Sequence, residues 1–230
     1  MEFKTIILLV IIIVLLYIVY NYISNDINTL TGLNSAKTMQ TISASDIDNS
    51  NSVNFTYSIW FYIDNWDDKL GVQKVIFGRM NSATDDSKPC PLVYLDEYQN
   101  DIVIKLTCND TTEPVENTIK NIPIQKWVFL MISVYGRTLD AYIDGKLVNT
   151  YILPNTSKIF PASSVYVTPD GGFSGWTTRF QYENQATNPQ TAWNMYKKGY
   201  GGSLLGELFG KYSVKLALLV NDKESSSLTI

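Results

Sequence analysis

Carboxylates are the main acids and bases this chain can call on, because its 230 residues include no histidine. Ser-His-Asp and Cys-His nucleophile pairs, His-based zinc sites and an unperturbed side-chain switch between about pH 5 and 8 are excluded together. Glycoside hydrolysis needs only two carboxyls, about 5 to 5.5 Å apart in retaining enzymes. No pair here has a spacing that delivers them. Glu113 and Glu116 are separated by Pro114-Val115 in a predicted loop, and the adjacent Asp96 and Glu97 point to opposite faces of any strand. Two further clusters, Asp64, Asp67 and Asp68, then Asp85 and Asp86, are candidate oxygen donors for calcium, which takes six to eight. Neither has the regular spacing of a calcium loop, so calcium stays a candidate without an assigned site. No other cofactor is expected.

Aromatic faces offer binding rather than bond-breaking chemistry. Trp66 lies in the polar loop Asp64-Asn65-Trp66-Asp67-Asp68 and is the first candidate for contact with a glycan or a partner, followed by Trp60 and Trp176. Trp127 and Trp193 read as packing residues, since large aromatics in β-rich chains mostly fill cores. The run Gly171-Gly172-Phe173-Ser174-Gly175-Trp176 superficially matches a phosphate-cradling loop, yet no Gly-Lys-Ser/Thr follows and its glycines suit tight strand turns.

Cys90 and Cys108 flank a predicted hairpin, PLVYL-DEYQND-IVIKL. A turn centred on Gln99 sets them face to face, where a cross-strand disulfide is geometrically allowed. An even-length turn offsets them by one residue, and the other reading is two separate buried thiols. An extracytoplasmic setting favours the disulfide, and both readings stand at this point. Asn54, Asn109 and Asn155 each open an Asn-x-Ser/Thr triplet and are candidate N-glycosylation sites, in a chain whose Asn and Thr content yields such triplets by chance.

These residues need a scaffold, and from Val53 the sequence alternates with a period of two. Phe55, Tyr57, Ile59, Phe61 and Ile63 share one face, while Asn54, Thr56, Ser58, Trp60 and Tyr62 share the other. Further β runs are predicted at 74–77, 92–95, 102–106, 127–135, 138–143 and 165–168, with Asp144-Gly145 as a two-residue hairpin loop. One short helix is predicted near 189–198: Asn188 caps it, Pro189 opens it, Ala192 and Tyr196 share a face, Lys197 and Lys198 occupy the last turn and Gly199 ends it. Tyr212, Val214, Leu216, Leu218 and Val220 alternate again as a late strand. Many short strands, Gly-rich turns and little helix give an all-β, two-sheet antiparallel β-sandwich of jelly-roll type over 52–230.

Ahead of it, residues 5–23 are apolar and carry no charge, and as a helix they extend roughly 28 Å, the thickness of a bilayer core. A cleaved signal peptide is the competing reading, disfavoured by the length of the run and the absence of a small-x-small site at Tyr22-Ile23-Ser24. Residues 1–4, with Lys4, are expected on the cytosolic side and the domain on the opposite side. Residues 24–51 are rich in Ser, Asn, Thr and Asp and read as a polar tether of roughly 30 Å reach, with a first strand near 38–42. Setting aside Glu2 and Lys4 leaves 21 acids against 17 bases outside the span, an acidic surface that disfavours nucleic acid as a partner.

The order NFTYSIWFYI, KVIFGR, IPIQKWVFLMISVYGRTLDAYIDGKLV and GGFSGWTTRFQYENQATNPQTAWNMYKKG resembles the concanavalin A-like lectin/glucanase superfamily in its laminin G-like and pentraxin-like branch. The resemblance covers about residues 53 to 200. It implies a concanavalin A-like jelly roll, for which loop-bound calcium is common. The superfamily's glucanases carry a Glu-x-Asp-x-(x)-Glu strand that has no counterpart here. The amino-terminal anchor, CPLVYLD and NPQTAWNMYKKGYGGS further resemble membrane-anchored proteins of large nucleocytoplasmic DNA viruses, which implies a virion membrane or minor capsid component. The expected function is therefore a non-enzymatic, membrane-anchored structural or interaction module linking membrane and capsid. A surface glycan-binding lectin used for attachment is the alternative, and a carbohydrate hydrolase is less favoured. Expected partners are the bilayer, other capsid or membrane proteins, and glycans.

Overall fold

The computed structural model describes residues 12–17, 29–47, 51–201, 215–220 and 223–229. Contacts divide the chain into two units, Asn28–Lys197 and the combination of Met1–Ile27 with Lys198–Ile230. The first unit holds two antiparallel sheets. One runs in the order β1 (Thr29–Thr31), β13 (Ser174–Glu183), β4 (Phe55–Asn65), β9 (Trp127–Tyr135), β10 (Thr138–Ile143) and β11 (Lys146–Ile152), with β2 (Asn34–Ser35) also paired to β13. The other runs β3 (Gln40–Ile42), β12 (Ser164–Val167), β5 (Lys74–Met80), β6 (Leu92–Leu95), β7 (Ile102–Leu106) and β8 (Val115–Ile119).

Period-two alternation builds the core. Phe55, Tyr57, Ile59, Phe61 and Ile63 of β4 are all buried, as are Val128, Leu130, Ile132 and Val134 of β9. They meet Ile76, Phe77, Val93, Leu95, Ile104, Val165 and Val167 from the second sheet in one apolar cluster. Phe77 links the two layers, 5.7 Å from Tyr57 and 5.1 Å from Phe180 between ring centroids. Each such fully buried side chain contributes on the order of 1.5 to 3 kcal/mol, so the sandwich is held mainly by this seam.

The turns follow the sequence closely. Asp144 and Gly145 both take positive φ, +50° and +74°, as a two-residue hairpin loop requires. Gly172 and Gly175 meet a different need, because a Cβ at either would collide with a backbone carbonyl, Ala36 O or Tyr62 O respectively. The helix spans Pro189–Lys197; the Oδ1 of Asn188 accepts from Thr191 N at 2.9 Å, and Gly199 has φ +70°.

Three expectations need correction. Residues 29–47 of the expected tether are not free, because β1, β2 and β3, the last of them at the strand expected near 38–42, lie within them and Ala36, Ile42 and Ile47 are buried in the core. Edge strands pair on one side only and manage with few apolar residues, so composition alone made them look like linker. The sandwich does not reach residue 230. Beyond Lys197, β14 (Lys215–Val220) pairs with β15 (Lys223–Thr229) as a hairpin in the other unit, so the late strand brings its own partner; Tyr212 and Val214 lie outside the described residues. Glu116, expected in a loop, lies on β8, whose sequence VENTI is polar and sits on a sheet edge and so carries little strand signal. Residues 12–17 are helical, but among the described residues no helix is long and apolar enough to cross a membrane. The rest of the expected span at 5–23 lies outside them.

Candidate functional site

The outward face of the β13-β4-β9-β10 sheet has an apolar part and a polar part. Trp60, Phe129, Met131 and Tyr142 form a second apolar cluster with Ala192, backed by Trp127, Met195 and Tyr196. The helix covers this part, with the Tyr196 ring stacked on Trp60 at 5.6 Å and an 18° interplanar angle. Its closeness to the Asp144-Gly145 turn is fixed by the missing side chain of Gly145, whose Cβ would stand 2.8 Å from Tyr196 Cβ.

Just before the helix begins, the sheet turns polar. Glu183, Thr56, Ser133, Asp140 and Thr150 stand in register across β13, β4, β9, β10 and β11 as one row. The hydroxyls of this row hold a loop in place: Thr56 Oγ1 donates to Gln185 O at 2.8 Å, and Ser133 Oγ accepts from Thr187 N at 2.9 Å. Asp140 Oδ1 accepts from Thr150 Oγ1 at 2.7 Å.

Beside this row, and meeting it at Asp140, lies an open groove of about 520 Å³, lined by Ser52, Asn54, Tyr135, Asp140 and residues 184–188. Tyr135 ends β9 at the two-residue Gly136-Arg137 turn and is 70% exposed. Gly136 takes φ +57°, the conformation this turn demands of its first residue. The turn is tied to the opposite rim, where Asn54 Oδ1 accepts from Gly136 N at 2.8 Å. One aromatic face, several side-chain amides and hydroxyls and one carboxylate can stack against an apolar ring face and bond a set of hydroxyls. The two carboxylates of the row, Glu183 and Asp140, sit three strand spacings apart, roughly 14 Å between backbones. Glycoside hydrolysis uses pairs separated by about 5 to 9.5 Å.

The tryptophans expected at a site are not brought together here. Trp60 is buried at 5% exposure beneath the helix, so it is corrected from contact residue to core. Trp66 is half-buried against the main cluster, and Lys74 Nζ lies 4.5 Å from its ring centroid. Trp176 is exposed but stands opposite Tyr62, toward the other end of β4 from the groove. Trp193, expected in the core, is 38% exposed and leans on Tyr196 at 5.6 Å. Tyr135 escaped notice because it closes an apolar strand; only its outward register and the nearby Gly136 marked it.

The cysteine expectation is also corrected, since both are free and buried. The loop between β6 and β7 has an even length, and Leu92 pairs with Lys105. The ladder ends there, and beyond it Thr107 N donates to Pro89 O, so Cys90 and Cys108 are not a cross-strand pair; burial pushes the Cys90 thiol up to about 12. The calcium candidates do not gather: among the described residues no group of three or more Asp, Glu, His or Cys could hold a metal. Asp68 instead pairs with Lys37 at 3.3 Å, Asp86 with Lys105 at 3.2 Å, and Asp85 accepts from Ser87.

Two sequons meet in neighbouring loops. Asn109 Nδ2 donates to Thr156 Oγ1 at 3.0 Å, Asn155 Nδ2 to Asp110 Oδ2 at 2.9 Å, and the Ser157 hydroxyl is buried on Val53 O. Asn54 is half-buried at the groove rim.

A two-sheet antiparallel sandwich with a polar, loop-walled groove at one end defines a lectin-like domain. The chain belongs to the concanavalin A-like lectin/glucanases superfamily, whose laminin G-type family model matches residues 36–181. Among solved structures it resembles the receptor-binding domain of the botulinum neurotoxin C/D mosaic serotype, with TM-score 0.55 and 14% identity, covering 73% of this chain and 42% of that one. It also resembles the binding domain of botulinum neurotoxin DC in complex with SialylT (TM-score 0.52, 17% identity, 65% and 36% covered). A third likeness is to a botulinum neurotoxin type C structure whose description links cell entry to interaction with two ganglioside molecules (TM-score 0.51, 17% identity, 64% and 36% covered). The chain spans less than half the length of these structures, and the likeness is one of fold. No curated protein matches the sequence.

Proposed function

We propose that this protein is a non-catalytic, membrane-anchored binding module that takes a saccharide in the groove between the Gly136-Arg137 turn and the 184–188 loop. The observation that carries the reading is the exposed Tyr135 ring sharing one groove with Asp140, Ser52, Asn54 and a 184–188 loop already pinned by Thr56 and Ser133. Such a site costs little ordering on binding, because its walls are bonded before the ligand arrives. Fold neighbours described with SialylT and with gangliosides support saccharide binding as a use of this sandwich.

Residues 5–23 serve as the anchor in this reading, with the domain on the side opposite residues 1–4. The resemblance to virion membrane proteins makes a virion membrane its proposed location and other membrane or capsid proteins its neighbours there.

The test presents the full chain, reconstituted in lipid nanodiscs, to a glycan array. Saccharide binding that falls about tenfold with Tyr135→Ala and persists with Trp66→Ala supports the reading. Binding unaffected by Tyr135→Ala, no binding at all, or turnover of a polysaccharide by the same preparation overturns it. Protease treatment of intact membranes followed by mass mapping tests the anchor and its orientation separately.

A further inference from the structure

We infer that the groove selects neutral sugars, hexoses or N-acetylhexosamines bearing free hydroxyls, and turns away sialylated, sulfated or phosphorylated ones. This rests on the saccharide reading of the groove. Its lining carries one carboxylate, Asp140, and neither lysine nor arginine. Asp140 is half-buried in the lining, with Oδ1 engaged by Thr150 Oγ1 and the Tyr142 hydroxyl beside the carboxylate; two carboxylate oxygens offer about four acceptor positions, so the group can still accept from a ligand. An ionised carboxylate only accepts hydrogen bonds, so it matches a sugar hydroxyl that donates and repels an anion at the same place.

The bases on the adjoining strands do not line the groove. Arg137, next to the groove in sequence, spends its Nε on Leu153 O at 3.0 Å, and Lys126 pairs with Asp144 at the opposite end of β9. The helix that begins at the groove offers an anion little. Pro189 has no N–H, and the Thr191 N–H is taken by Asn188 Oδ1. The remaining lining groups, Ser52, Asn54, Asn184, Gln185, Thr187 and Asn188, are uncharged, and their amides and hydroxyls both donate and accept. That set suits hydroxyl and acetamido groups, with Tyr135 placed to stack on the apolar side of the ring.

The experiment uses the full chain in nanodiscs on an array where each neutral glycan is printed beside its sialylated and its sulfated form, at low and at physiological salt. The expected result is binding of neutral members at least tenfold tighter than of their anionic forms, with the gap narrowing as salt rises. Asp140→Asn keeps an acceptor for Thr150 and removes the charge. It should cut neutral binding about tenfold and abolish the preference. Anionic forms bound as well as neutral ones by the unmodified protein, or a preference that survives Asp140→Asn, overturns the selectivity while leaving the saccharide reading in place. Absence of binding to every printed glycan overturns both.

Discussion

Thr56 and Ser133 face each other across β4 and β9 with their hydroxyls 3.3 Å apart, and each reaches up to the same loop. Thr56 bonds the carbonyl of Gln185 and Ser133 receives the N–H of Thr187, so one wall of the groove hangs on two side chains in the sheet. Ser133→Ala leaves a half-buried N–H without its partner and is expected to cost about 1 to 2 kcal/mol. Thr56→Val, close in shape, should cost about 1 kcal/mol. The signature beyond stability is local: hydrogen exchange at 184–188 accelerates while exchange in β4 and β9 stays slow. Uniform acceleration across the sheet would mean that the pair supports the fold rather than the loop.

Gly145→Ala is the sharpest single disruption the helix allows. The position needs φ +74°, and the added carbon meets Tyr196 Cβ at 2.8 Å and Trp193 Cα at 3.1 Å. The combined backbone and overpacking penalty is about 2 to 4 kcal/mol. Calorimetry should show the loss in Tm, and near-ultraviolet dichroism should show the Trp60–Tyr196 stack disturbed. An unchanged Tm would show that the helix can lift from the turn at no cost.

Buried free thiols make a chemical prediction. Cys90 and Cys108 should resist a thiol reagent in the native protein at pH 8 and react in full after denaturation, with no mass difference between reduced and non-reduced samples. A two-dalton deficit in the non-reduced mass would restore the disulfide.

Stability should change little between pH 5 and 8, where a chain without histidine has no side chain of ordinary pKa to titrate. Above that range it should fall. Cys90 and Tyr94 ordinarily ionise at 9.0 and 10.0, and burial pushes both up to about 12. The unfolded chain therefore releases these protons first, and stability drops from about pH 9 toward 12. Lys74, pushed below its ordinary 10.5 by burial, acts in the opposite sense and offsets part of the fall up to that pH. At the acid end, Asp96 is held below its ordinary 3.8 by the N–H groups of Gln99 and Tyr98. Its contribution is complete above that value and lost as pH drops through the folded pKa. Urea midpoints from pH 3 to 11 check this profile, and a steep change near pH 6 would contradict it.

Alternation told which side of β4 and β9 faces the core, and turn chemistry placed Asp144-Gly145 and the start of the helix at Pro189. Such signals are local, carried by a few consecutive residues. What covers the outward face is not local. Trp60 and Tyr135 both point outward, and the helix from 130 residues along the chain buries one and stops short of the other. Trp66 reads as exposed because its neighbours are polar, while the Lys74 ammonium that lies over its ring comes from the next strand. The groove is assembled from three segments far apart in sequence, none of which contains a recognisable motif. The cysteine register turned on one residue of loop length, which pattern alone leaves undetermined.

The outermost strand of the larger sheet, β11, shows Leu147, Val148 and Ile152 to solvent and, among the described residues, has a strand partner on one side only. Between Asn149 and Leu147 its pairing with β10 slips, so Val148 has no partner and the strand is bent there. A straight strand of this composition would recruit its like wherever copies are crowded. The extra residue breaks that template in the middle, and copies set side by side on a surface can stand close without zipping into a common sheet.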